Sequence, residues 1–374
     1  MSSSTYTQDD PRVRPIPPSN YPWVAIPPSK STQDIVKVLL IPTSKVIAPT
    51  NMLTSFDTGE EKTELPCYSV LIDRGDEAML FDLGLREDPE NFPEPMHNTL
   101  LKVFGTVPAP GPIKILQHEN YDLDRLKSVI LSHKHFDQQP SLTENELSGD
   151  IATLPFPDRP IILGPGSLAS IGPGYPKDPH GQWSSSWFDE YRFVELPGTT
   201  TEGAWEGEIA DINSENKPRK WEKVGCFDNA VDWFGDGSFW LIDAPGHCTG
   251  HIMALCRVTA QPDTYVLLAG DAAHHQSMYL PIPSNDEDLR SPKPVINGKV
   301  QFAEDPIVAT RTVGTLTRMS MEDNVMVLLA HEKEAVGILD QCPKDIGEWK
   351  AKGWKDEKQK KVIEDANRRT QLSR

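Results

Sequence analysis

Four places in the chain put a metal-binding type of side chain directly after an apolar run. Val129-Ile130-Leu131-Ser132 leads into His133-Lys134-His135-Phe136-Asp137-Gln138, and Phe239-Trp240-Leu241-Ile242 into Asp243-Ala244-Pro245-Gly246-His247. Residues 265–270 end at Asp271, and residues 326–330 end at His331. Two histidines two apart on an extended segment point the same way and can share one ion. His247 would complete a three-nitrogen face. Asp271, with two oxygens, can bridge to a second ion, which Asp137 and His331 could hold. Nitrogen and oxygen donors without thiolate suit zinc, one ion or two, and also iron or manganese. Water in an open coordination position drops in pKa from about 15.7 towards about 7, which supplies hydroxide at neutral pH. A lone His-x-His, or a lone Asp after a strand, is commonly a turn or core residue. Four such ends in one chain are a different matter.

The elements follow from the same runs. A continuous apolar stretch marks a strand buried on both faces, and ligand sites of such sheets lie where the strands end. A first sheet is expected from residues 35–41, 68–72 and 78–81, with Arg74-Gly75-Asp76 as a hairpin turn. A second is expected from 230–234, 239–242, 253–258 and 264–268. Residues 306–320 read as a helix, and 343–369 as two charged helices on the outside. The stretch 87–118 reads as a loop-like insert with a helix near 98–104. Residues 172–190, rich in Gly, Pro, Trp and Ser, read as a long surface loop near something functional. The organisation is then a proline-rich arm over 1–30, one domain over 31–355, and a charged helix or tail over 356–374.

Composition narrows the function. The 374 residues carry 37 basic and 55 acidic side chains, a net charge of −18. Such a surface repels phosphate backbones and anionic lipid, so neither nucleic acid nor membrane is an expected partner. No apolar run approaches the roughly 18 residues that span a bilayer, and the start, Met1-Ser-Ser-Ser-Thr-Tyr6, has no secretory pattern. Five scattered cysteines suit a reducing, cytoplasmic setting rather than a disulfide framework. A small-molecule substrate is expected, with room for a homodimer.

The motif set resembles the metallo-β-lactamase superfamily, whose pattern is His-x-His-x-Asp-His, then His, Asp and His. Asp82-Leu83-Gly84 after an apolar strand is similar to the family's early Asp-x-Gly. The resemblance implies an α/β fold, an αββα sandwich of two mixed β-sheets flanked by helices, with a binuclear centre at its edge. It assigns one ion to His133, His135, His247 and bridging Asp271, and the other to Asp137, Gln138, Asp271 and His331. Gln138 departs from the pattern, which has histidine there; an amide oxygen is a weaker donor, so the second site should bind less tightly or be lost. Gly164-Pro165-Gly166, Pro173-Gly174-Tyr175-Pro176 and Asp271-Ala272-Ala273-His274-His275 are similar to a fungal branch. That branch resembles quorum-sensing lactonases and benzoxazolinone-opening γ-lactamases. The implied reaction is hydrolysis of a small cyclic amide or ester by metal-bound hydroxide. His274 stands where the lactonase-like branch has a tyrosine at the substrate carbonyl, so it is a candidate to polarise a carbonyl or protonate a leaving group, or else a hydrogen-bonding neighbour. Asp137 would carry the proton if the second ion is absent. A mononuclear-iron oxidoreductase of the persulfide-oxidising type and a glutathione-thioester hydrolase are the alternatives. Around the site, His251 reads as a packing or capping residue, Asp243 as a group that could orient a histidine, and Cys248 as no nucleophile. Tyr175, Trp183, Trp187 and Tyr191 are candidates to wall a pocket or simply to pack.

Overall fold

Alternation of apolar side chains sends successive residues of a strand to opposite faces, and here both faces are covered. The computed structural model describes residues 18–50, 53, 62–98, 100–135, 154, 156–212, 218–280, 295–296, 299–300 and 303–372. Asp137 and Gln138 lie outside these. The strands are β1 (Lys37–Pro49), β2 (Lys62–Asp73), β3 (Ala78–Phe81), β4 (Gly105–Val107), β5 (Leu126–Ile130), β6 (Ile161–Leu163), β7 (Phe193–Glu195), β8 (Glu222–Val224), β9 (Phe227–Asp232), β10 (Phe239–Asp243), β11 (Ile252–Thr259), β12 (Thr264–Leu268), β13 (Val295–Ile296), β14 (Lys299–Val300) and β15 (Val325–Leu328). One sheet has the order β4-β1-β2-β3-β5-β6-β7 and the other β15-β12-β11-β10-β9-β8, with β13 and β14 a separate pair. Both large sheets are mixed: β3, β5, β6 and β7 run parallel, as do β12 and β15, while the other neighbours are antiparallel.

The period of two decides which core each residue joins. Val38, Leu40, Val70 and Ile72 of the first sheet meet Leu241, Ala254, Cys256 and Val266 of the second. Their neighbours Leu39, Ile41 and Leu71 face outward against Ile113 and Leu116 of α3 (Pro112–His118), after the short α1 (Glu94–Asn98) and α2 (Leu100–Val103). On the far side Trp240, Ile242, Leu255 and Leu267 pack against Val313, Leu316 and Met319. Those three lie on α7 (Pro306–Ser320), which follows α4 (Ser167–Ile171), α5 (Trp187–Glu190) and α6 (Glu208–Asp211). The result is the αββα sandwich. Among the described residues no helix is long and apolar enough to cross a membrane.

Two expectations change. Residues 343–369 hold one helix rather than two: 343–353 is turns, and α8 (Trp354–Leu372) begins only after Gly353, which has the positive φ of 70° that breaks a helix. The stretch 87–118 is more ordered than a loop, because α3 and β4 dock on the first sheet. Residues 18–30 run over the outer side of the second sheet. Tyr21 donates its hydroxyl to the Arg311 carbonyl at 2.8 Å, Val24 pairs with Gly225, and Trp23 lies 4.2 Å under the Arg318 guanidinium.

Candidate metal centre

The loops after β5, β10, β12 and β15 meet at one edge of the sandwich. Neighbouring residues fix the loops after β5 and β12. Asp82, held at a φ of 61° just after β3, accepts the Ser132 N–H at 2.7 Å on its carboxylate. The Ser132 carbonyl takes the Ile252 N–H of β11 at 2.7 Å, so the residue before His133 is clamped between the two sheets. Gly270 has a φ of 52°, and a Cβ there would sit 2.8 Å from His251 Nε2, which leaves only glycine before Asp271.

Asp271 is the centre of the constellation. Its Oδ2 lies 3.7 Å from His133 Nε2, 3.8 Å from His247 Nε2 and 3.4 Å from His274 Nε2, and its Oδ1 lies 3.6 Å from His331 Nε2. His135 Nδ1 closes on His247 Nε2 at 2.7 Å. Two overlapping donor groups result, His133 with His135 and His247, and His247 with Asp271 and His274, each with its ligand atoms within 4.8 Å of one another. The nitrogens are oriented from behind. His331 Nδ1 lies 2.9 Å from the Pro66 carbonyl, which can only accept, so Nδ1 carries the proton and Nε2 keeps its lone pair for the centre. His133 Nδ1 is 2.9 Å from Ser132 Oγ. His251 accepts the Asp271 backbone N–H at 3.0 Å, the capping role expected of it.

The electrostatics suit a cation. Burial alone would raise the Asp271 carboxyl, but His331, His274 and His133 hold it well below the usual carboxylate range. Burial pushes His247 well below the ordinary imidazole value, with His135 and His274 adding to the effect, so it stays a neutral ligand. Asp271 Oδ1 is buried and has no hydrogen-bond partner among the described residues. A buried carboxylate oxygen without a partner is costly, and a divalent ion would satisfy it. The donor set therefore fits a divalent metal.

Two further groups brace the loops. Glu304 accepts the Thr249 N–H at 2.7 Å and ion-pairs at 2.5 Å with Lys134, the residue between His133 and His135. Its own N–H donates to the His247 carbonyl at 2.9 Å, and Asp305 next to it caps α7. Trp183 donates its indole N–H to the Lys134 carbonyl at 3.0 Å while packing, with Trp187, into the outer core of the first sheet. Tyr175 and Gln182 instead line an open cleft of about 450 Å³ with Glu94 and His180. Tyr191 packs at the margin of that outer core. No spacing pattern singles out Glu304, which lies 33 residues after Asp271 with Asp305 beside it. Asp243 finds no side-chain partner among the described residues, so it orients no histidine there; burial alone pushes its carboxyl up to about 7. Cys248 is buried and its thiol is pushed up to about 12, which removes it as a nucleophile.

A four-layer αββα sandwich whose two sheets jointly present a histidine–aspartate centre defines a class of metal-binding folds. Residues 63–138 match the metallo-β-lactamase superfamily family model. A γ-lactamase, MBL2, of Gibberella moniliformis is 36% identical over 58% of this chain and 80% of its own length. The cytochrome P450 monooxygenase mpaDE of Penicillium roqueforti is 32% identical over 95% of this chain, yet the chain spans only 39% of that longer relative. An N-acyl homoserine lactone hydrolase, solved with its product at the catalytic metal centre, superposes with a TM-score of 0.54 at 17% identity, covering 83% of this chain and 99% of that one. The chain belongs to the metallo-β-lactamase superfamily.

Proposed function

We propose that the chain hydrolyses a small cyclic amide or ester, a lactam or a lactone, with zinc as the resident metal. The observation that carries this is the buried donor set around Asp271, drawn from both sheets. The γ-lactamase relative supports the ring-opening reading, and the fold it shares with lactone hydrolases is compatible with it. Five free cysteines suit a cytoplasmic setting.

His133, His135, His247 and Asp271 would hold the first ion; His331 and Asp271 face the second position, which Asp137 and Gln138 complete by their place in the sequence. A divalent ion at such a centre supplies Lewis acidity and lowers the pKa of water. The chain supplies the rest. Asp271 stays ionised and balances the positive charge. Burial keeps His247 neutral, and the Pro66 carbonyl turns His331 so that its Nε2 faces the centre. His274 Nε2, 3.4 Å from Asp271 Oδ2 and with a side chain 9% exposed, holds a proton at the edge of the centre where a leaving nitrogen or oxygen would need one.

Elemental mass spectrometry on protein purified without chelator, followed by a screen of γ-lactams and γ-lactones, tests the reading. One or two zinc per chain with ring opening is the expected result. One iron with oxygen consumption and no hydrolysis would replace it by the oxidoreductase, and no metal uptake at all would end it.

A further inference from the structure

We propose that Lys358, on the C-terminal helix α8, is a positioning residue for the metal centre and acts through Glu332. Among its described side chains α8 buries Trp354, Lys358 and Val362 at helical spacing, so a lysine stands between two apolar residues of this inward stripe, where an aliphatic residue would ordinarily pack. The side chains of Lys358 and Glu332 are 2% and 0% exposed, and they form an ion pair. Lys358 Nζ also donates to the Val327 carbonyl at 2.9 Å. Removing such a pair from water costs about as much as the attraction returns, so a buried pair is a poor source of net stability. Its partners point instead to geometry.

Glu332 directly follows His331. One of its oxygens accepts the Gln276 amide at 2.7 Å, and the other accepts the Leu329 N–H at 3.1 Å. Gln276 lies two residues after His274 and five after Asp271. A single buried carboxylate, fixed by Lys358, therefore ties the loop after β15 to the loop after β12. A parallel tie runs alongside it, His275 Nε2 to Glu334 at 3.3 Å. The Tyr68 hydroxyl closes the cage on the Glu332 carbonyl at 3.3 Å. The relative placement of Asp271, His274 and His331 is thus set from a helix that carries none of them.

The inference rests on the metal reading, and its test separates the two. Wild type, Lys358→Met and Gln276→Leu, each stripped of metal, are titrated with Co(II) while the visible spectrum is recorded, and the melting temperature of each metal-free protein is measured. We expect Co(II) to bind each variant about 10–100-fold more weakly, with an altered visible spectrum, as for groups that orient metal ligands from behind. A purely structural role would lower the melting temperature of the metal-free protein and leave affinity and spectrum of the folded fraction unchanged. Gln276→Leu keeps the buried ion pair, so it decides the matter if Lys358→Met does not fold. Wild-type affinity and spectrum in Gln276→Leu would overturn the inference. Failure of the wild type to bind Co(II) would overturn the metal reading, and this inference with it.

Discussion

Asp271 keeps its charge in a place where burial opposes it, because histidine nitrogens surround it. Asp271→Asn removes that charge and leaves the ring of imidazoles without a counter-ion, so metal content per chain should fall below half of wild type by elemental analysis. Replacing His133 and His135 together by Ala should abolish both bound metal and hydrolysis; retention of either would contradict the assignment. His274 separates two roles. If it moves a proton, His274→Gln should lower kcat by about 10²- to 10⁴-fold with metal content intact; loss of metal instead would make it a ligand. Asp243 gives a prediction about stability. Burial holds its carboxyl at about 7, above the value near 3.9 of an unfolded chain, so the folded state binds the extra proton. The stability it contributes is complete below about pH 4 and is lost as pH rises through 7. Asp243→Asn should therefore equal wild type near pH 4 and exceed it by about 1–2 kcal/mol at pH 8, after allowance for partial exposure, as read by urea unfolding. A difference independent of pH would contradict the assignment.

The strand ends were legible in the sequence because each is an apolar run closed by a polar ligand, and a buried strand has little other way to end. β10, β11, β12 and β15 lie within about two residues of where their runs place them. What connects the loops to one another was not legible. Glu304 reaches Lys134 and Thr249 only after α7 has docked on the second sheet, and no local pattern encodes that docking. The same holds for α8, whose charged sequence reads as a solvated tail because its inward stripe is interrupted by Lys358. The Glu304 brace can be tested as an element rather than a side chain. Glu304→Gln keeps the Thr249 contact and loses the ion pair, so a drop in metal affinity of about tenfold, measured by competition with a chromogenic chelator, is expected. An unchanged affinity would reduce Glu304 to a cap on its own loop.

At the scale of the whole molecule, the N-terminal segment is a strap rather than a free arm over the described residues. Tyr21 lies across α7 at Gly314, where a Cβ would come within 1.9 Å of its hydroxyl. Gly314→Ala should lift the strap at a cost of about 1–3 kcal/mol, seen as a lower melting temperature; an unaltered one would show that the strap contributes nothing. The strap also meets the second sheet through Ser29, whose hydroxyl donates to Asp263 at 2.6 Å. The centre itself has a mechanical side. His133 and His135 hang from the first sheet, while His247, Asp271 and His331 hang from the second. An ion held by both sets is a rivet between the two halves of the sandwich. Its binding energy adds to folding by mass action, about 2.7 kcal/mol when free metal stands at 100 times the dissociation constant. The metal supply would then set how many chains stay intact as well as how fast each one works: starved of it, the seam opens first, and proteolysis becomes the gauge.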